Sequence, residues 1–471
     1  MSVHQKSKDN FCNYLGRFFS WVGDRWLLLI AVFLLAFIPL YPKIPLAELI
    51  PGYIVRMRLE DIFVLIAFGV WLIQIVRKKI AFRSVSSILI LSYLLIGLLS
   101  ILSATIFTQT IPWQTLHMGK SFLHLLRYFE YFVLFFITFS SIKKVDDLKL
   151  VVGTIILTLF LVVVYGYGQR FFYWPVFSTM NREFSKGIRL YLTEHARVQS
   201  TFGGHYDLGA YLVIVLNLVL AIALSTKSKL LKIASHLIHT LGLWLLVVSA
   251  SRISFIAYLG GSMLVIAITA LQSASKIKGW KFFISRSFGQ FILVTFIMIS
   301  FGQDMKDRLF HVVQQYPKVE QSYQQIEDVV ISTYKNALVF IGITDSNPPQ
   351  DDSWVAVTQQ DQQPLANTDQ LPSTTKPIDV YTDVPDKVKV ATESASGSIE
   401  YIIVEKERTW SDNAMKYGLS AAIRLDTLWP NAIRGFKHNP IFGTGYATLN
   451  KESPFHFTEA ESTDNNFLRI L

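Results

Sequence analysis

Apolar residues fall in nine blocks separated by short polar links: 26–41, 60–76, 87–107, 122–141, 150–168, 206–225, 230–248, 253–272 and 283–302. Most blocks approach the roughly twenty residues needed to cross about 30 Å of hydrocarbon. Neither strict alternation nor a narrow apolar stripe runs through them, so each reads as a helix surrounded by lipid or by other helices. The pattern predicts an all-α, polytopic transmembrane helix bundle. Residues 1–25 form a cytoplasmic N-terminal segment and 26–302 the bundle of nine helices. A large outer loop follows over 303–465. Residues 466–471 are expected to open a tenth span, which would make the chain a truncated product or fragment.

Inside the outer loop, 343–398 is rich in Gln, Asp, Thr, Ser and Pro and has few large apolar residues, so it is expected to lack a core. Order is expected to return over 407–438. There Ala421, Leu425, Leu428, Trp429, Ile433 and Phe436 share a helical face, with Pro430 placed to kink or split the helix. Gly443 and Gly445 read as a turn.

Charge sets the orientation. Arg77, Lys78, Lys79 and Arg83 follow the second block, Lys143, Lys144 and Lys149 the fourth, Lys227, Lys229 and Lys232 the sixth, and Lys276, Lys278 and Lys281 the eighth. These links share one side with the basic N-terminus, and lysine- and arginine-rich links mark the cytoplasm. The protein is therefore expected in the inner (plasma) membrane, multi-pass, with its N-terminus inside.

Composition agrees. The chain of 471 residues is 51% hydrophobic and only 17% charged, against about 25% charged in an average soluble domain. The net charge of +10 follows from topology and carries no expectation of nucleic-acid binding. One cysteine, Cys12, excludes an internal disulfide, and no Cys/His cluster has metal-ligand spacing. No metal or cofactor is expected.

Three links on the opposite side break the charge rule. Lys43, Arg56 and Arg58 are balanced by Glu48, Glu60 and Asp61. The link from 169 to 207 carries Arg170, Arg182, Lys186, Arg189 and Arg197. Arg252 lies in the short link "SASRIS". Arginine is a permanently charged fork that matches phosphate oxygens, and no P-loop accompanies it. The diphosphates offered at an outer leaflet are chiefly polyprenyl-diphosphate sugars, so these arginines point to a lipid-linked glycan donor. Blander readings stand beside that one. Arg252 snorkels to headgroups, Arg189 and Arg197 pair with Glu183 and Glu194, Arg424 and Asp426 form a solvated helix face, and Arg127 with Glu130 is an ion pair within one helix.

The ordered motifs "RVQSTFGGHYDLGAYL", "SASRIS", "RLDTLWPNAIRGFKHNPIFGTGYATL" and "TDNNFL" resemble the O-antigen ligase and O-antigen polymerase superfamily of membrane glycosyltransferases. The resemblance runs from the fourth block to the end. It implies about a dozen spans, a large outer loop between two of the last spans, and metal-independent transfer of a glycan from undecaprenyl diphosphate. The partners it implies are the lipid-linked donor, a lipid or glycan acceptor, and membrane lipids. By position, it implies donor-diphosphate contacts from Arg189 or Arg197, from Arg252 and from Arg424. Lipopolysaccharide ligases usually carry a histidine before the Asn of the last motif. Here Asp464 stands there, as in polymerase-like members, and is the candidate base. A transporter or flippase of lipid-linked sugars is the competing reading; it predicts internal repeats or midplane polar groups, but no repeat is evident, and spans six to nine carry only Arg286 near an end and His236 and His239 in span seven.

Overall fold

The computed structural model of the chain describes residues 25–47, 49, 56–78, 80, 84–180, 184–193, 195–272, 275–306, 332, 386–393, 399–406, 423–446, 448–450 and 459–460. They are mostly helical. Eight helices are long and apolar enough to cross a membrane: α2 (Leu59–Val76), α3 (Val85–Ile106), α4 (Thr115–Ser141), α5 (Val145–Phe171), α6 (His205–Ser225), α7 (Lys229–Val248), α8 (Arg252–Leu271) and α9 (Lys276–Phe301). The first apolar block forms a shorter helix, α1 (Arg25–Leu40). Each expected block is thus a helix, and eight of the nine reach spanning length.

Several helices start earlier than hydropathy predicts. The fourth block begins at 122, yet α4 begins at Thr115. The ninth begins at 283, yet α9 begins at Lys276, so Lys276, Lys278 and Lys281 belong to a helix. Polar residues in a first turn cost a helix nothing when their heads reach water, so hydropathy trims them from the span.

Two ends of the bundle are tied differently. At the lysine-rich end Arg25 pairs with Asp147 at 3.2 Å, joining α1 to α5. Nearby, the Trp71 indole donates to Ser140 Oγ at 3.2 Å, joining α2 to α4. At the distal end a two-stranded ribbon, β1 (Pro45–Ala47) with β2 (Met57–Arg58), precedes α2. Thr201 Oγ1 donates to the Pro39 carbonyl at 2.5 Å, and Val198 N–H to the Val248 carbonyl at 3.3 Å. These bonds draw the link between α5 and α6 onto the ends of α1 and α7.

The tightest packing joins α6 to α7 and α8. Small residues allow it. A Cβ on Gly209 would fall 2.5 Å from Ser254 Oγ and 3.0 Å from Ser251 Oγ, and one on Gly242 2.5 Å from the Leu216 side chain. Gly209 faces Ser254 and Gly261 faces Asn217, so α6 and α8 run parallel and start together. Small-residue seams of this kind replace the hydrophobic drive that lipid does not supply.

Beyond α9 the chain divides into two compact units. One is 1–306 with 419–471, the other 307–418. In the second, β3 (Asp386–Glu393) and β4 (Ile399–Lys406) pair as an antiparallel hairpin, so the segment expected to lack a core carries a strand at its end. In the first, a π-helical turn (Ile423–Leu428) leads into α10 (Trp429–His438), with Pro430 in the first turn of α10. The helix expected over 407–438 is therefore split where Pro430 predicts, and 407–422 lies outside the described residues. Leu428 is buried, while Leu425 and Ile433 are exposed, so the expected apolar face is only partly covered. Two further short strands, β5 (Leu449–Asn450) and β6 (Glu459–Ala460), pair after it.

Residues 439–446 then seat against α3 and α4. Ser100 Oγ donates to the Phe442 carbonyl at 2.6 Å, Thr110 Oγ1 to the Thr444 carbonyl at 2.7 Å and Ser121 Oγ to the Tyr446 carbonyl at 2.8 Å. Gly443 and Gly445 have φ of 67° and 89°, the left-handed region that glycine enters without strain. The expected turn is there. It is also a close approach, since a Cβ on Gly445 would meet Ala104 at 2.7 Å.

Candidate functional site

"SASRIS" is a rigid elbow. Ser249, Ala250 and Ser251 are buried, and Arg252 emerges exposed as the first residue of α8. Ala250 has φ of 49°, a left-handed conformation costing roughly 1–2 kcal/mol for a residue with a Cβ. Ser249 Oγ donates to the Leu246 carbonyl at 2.7 Å and Ser251 Oγ to Ser254 Oγ at 2.9 Å. These bonds hold the elbow in place.

Facing it, α6 begins at His205, a buried residue whose Nε2 is hydrogen-bonded to the Arg197 guanidinium. The guanidinium donates, so Nε2 accepts and the ring proton sits on Nδ1. Ser200, with φ of 51°, anchors the approach by donating to the Val162 carbonyl at 2.7 Å. Gln169 Nε2 donates to the carbonyls of Ser200 at 2.8 Å and Pro175 at 3.1 Å. The link between α5 and α6 is thereby fixed, and it delivers Arg197 half-buried to the start of α6.

Because α6 and α8 are parallel and in register, their N-termini adjoin. Neither has a side-chain cap. A helix N-terminus carries about half a positive charge, and two side by side, each with an arginine, favour an anion. The structure therefore brings the Arg197 and Arg252 segments together. Arg189 lies exposed on the same link. Arg424 is half-buried in the π-helical turn, ahead of the segment that docks on α3 and α4. Asp464, the candidate base, lies outside the described residues, as do Glu183 and Glu194. His195 Nδ1 lies 3.1 Å from Asp304 Oδ1 beyond α9.

A second charged cluster sits at the start of α2. Lys43 Nζ donates to Glu60 Oε2 at 2.5 Å, and Arg58 Nη1 to Glu60 Oε1 at 3.1 Å. The Arg58 N–H caps α2 through Asp61 Oδ2 at 2.8 Å. Arg127 Nη1 then bridges Asp61 Oδ1 at 2.9 Å and Glu130 Oε2 at 2.6 Å. The expected Arg127–Glu130 pair is there, with a partner from another helix added. Asp207, two residues into α6, feels the charges of Arg58 and Lys43, so the two clusters adjoin. Burial holds the Lys43 amine below the ordinary lysine range, with Glu60 opposing.

In the sequence Lys43, Arg58, Glu60 and Asp61 read as mutual balance, and charge counting does not single out Lys120 or His124, both buried in α4. The signal available was spacing. His117, Lys120, His124 and Arg127 recur every three or four residues and share one helical face.

Deeper in the bundle, His239 Nε2, the Tyr258 hydroxyl and Gln290 Nε2 form a buried chain across α7, α8 and α9, at 2.8 and 2.5 Å. Among the described residues no group of three or more His, Cys, Asp or Glu side chains is arranged to hold a metal ion. Comparison with protein-family models, curated proteins and solved structures returned no match.

Proposed function

We propose that the protein is a plasma-membrane glycosyltransferase of the O-antigen ligase or polymerase type, with its N-terminus cytoplasmic and its distal end outside. The observation that carries this reading is the adjoining of the uncapped N-termini of α6 and α8, with Arg197 bonded to the first residue of α6 and Arg252 the first residue of α8. In the reaction, an acceptor hydroxyl oxygen attacks the anomeric carbon of the donor sugar. The bond from that carbon to the phosphate oxygen breaks, and the polyprenyl diphosphate leaves with the electron pair. Arg197, Arg252 and the two helix dipoles stabilise the charge that develops on it. Arg189 and Arg424 lend further positive charge to the donor, and Asp464 takes the acceptor proton.

Arg252→Ala should leave expression normal and cause lipid-linked glycan to accumulate in cells that need this protein. Unchanged glycan product at normal expression would refute the assignment.

A transporter of lipid-linked sugars is the second reading, favoured by the His239–Tyr258–Gln290 chain, which lies near the middle of three spans. Passage of labelled lipid-linked sugar across liposomes without a new glycosidic bond would support it.

A further inference from the structure

The bundle has a step at its distal end. Asp61 is two residues into α2, whereas its partner Arg127 is twelve residues into α4. The α4 helix therefore runs about ten residues, or about 15 Å, past the start of α2. Along this overhang, on the face that carries Arg127, lie His117 and the buried Lys120 and His124. At the start of α2, next to Asp61, Glu60 holds Lys43 and Arg58.

The charges at the foot of the step are not sealed. Arg127, Asp61 and Glu130 keep 28%, 21% and 19% of their side-chain surface. Charge that keeps this much open surface does not rest against hydrocarbon, so it faces water or a polar ligand. Stability is a poor reason for it, since apolar replacements commonly equal or exceed a buried ion network in stability. The foot also presents aromatic rings. Tyr131, exposed one turn along α4 from Arg127, interacts electrostatically with it, and its ring centre lies 6.4 Å from that of Tyr128.

A guanidinium between two carboxylates, beside tyrosine rings, does not suit a phosphate, which the carboxylates would repel. It suits a ligand that donates and accepts at adjacent positions and has an apolar C–H face. We propose that Asp61, Arg127 and Glu130 form a saccharide-binding site, separate from the Arg197–Arg252 anion site, that holds the sugar portion of a lipid-linked ligand. The inference rests on the glycan reading above, because that reading supplies the ligand.

Binding to the full chain in lipid nanodiscs tests it with two probes: bare polyprenyl diphosphate, and the lipid-linked saccharide fraction from cells expressing the protein. Wild type should prefer the saccharide-bearing lipid. Arg127→Gln should remove about tenfold of that preference, the scale of one charged hydrogen bond, and leave the bare lipid's affinity unchanged. Asp61→Asn and Glu130→Gln, each near-isosteric, should do the same and stand in should Arg127→Gln fail to fold. Equal loss for both lipids, no change, or a wild type without preference would each overturn the proposal. Arg252→Ala separates the two readings: it should weaken both lipids equally, and if it leaves bare diphosphate binding intact, the anion-site reading fails by itself.

Discussion

The α6–α8 region and the α2–α4 region handle polarity inside a membrane in opposite ways. In the first, 44% of each of the α6 and α7 spans and 22% of α8 is buried, glycine and serine bring backbones together, and the His239–Tyr258–Gln290 chain bonds polar side chains across helices. Arg252 stands exposed at the start of α8, and Arg197, half-buried, bonds the first residue of α6. In the second, α2, α3 and α4 are 22%, 17% and 28% buried, and charged groups from two helices meet several turns below the end of α4. One region uses packing to aim charge outward. The other uses charge to keep a polar gap between helices.

The largest effect should come from unbalancing the charged gap. Arg127→Leu strands Asp61 and Glu130, which should cost about 3 kcal/mol in thermal unfolding. Changing Asp61, Arg127 and Glu130 all to Leu should restore most of that stability. An unaltered melting point for the single variant would show that the three charges are solvated separately, and the contrast would collapse.

Overpacking the tight region comes next. Gly209→Val drives a side chain into Ser254 and Ser251 and should cost about 2 kcal/mol. Gly69→Ala in α2, where a Cβ meets nothing within 4 Å, should cost nothing measurable. Equal behaviour of the two variants would mean that α6 and α8 are not the closer pair. A smaller change is expected from Tyr258→Phe, which removes the link between His239 and Gln290. Hydrogen bonds between spans average about 0.6 kcal/mol, and chemical denaturation in mixed micelles reads that range.

The smallest effect concerns pH. Burial depresses the Lys43 amine. As pH falls through the ordinary lysine value of about 10.4, the unfolded chain binds the proton first. Wild-type stability therefore falls until the lowered folded value is reached, and is flat below it. Lys43→Met removes that slope. The melting-temperature advantage of Lys43→Met should grow as pH is lowered from about 11 through the lysine range. A constant difference would place Lys43 in water.

Hydropathy is a local quantity, and the helices were legible for that reason. Their ends were not. Thr115–Ser121 is helical although Lys120 and His117 count against it, because these side chains sit on a polar face of α4. Arg252 was legible as a fixed charge because its link is too short to wander. The Arg197–His205 pair was not, since the bonds of Gln169, Ser200 and Thr201 that fold the link lie in no periodic pattern. The Asp61–Arg127 contact joins residues 66 apart, so charge balance within one loop could not reveal it. Pro430 marked the break between the π-helical turn and α10, as its missing N–H requires.

The central claim is that Arg197 and Arg252 hold one diphosphate. A cryo-electron microscopy structure of the full chain with bound polyprenyl diphosphate tests it most directly. Phosphate density is expected about 3 Å from both guanidinium groups, at the mouth of α6 and α8. Density seated instead against Lys120 and Arg127, or beside Arg424 alone, would contradict it.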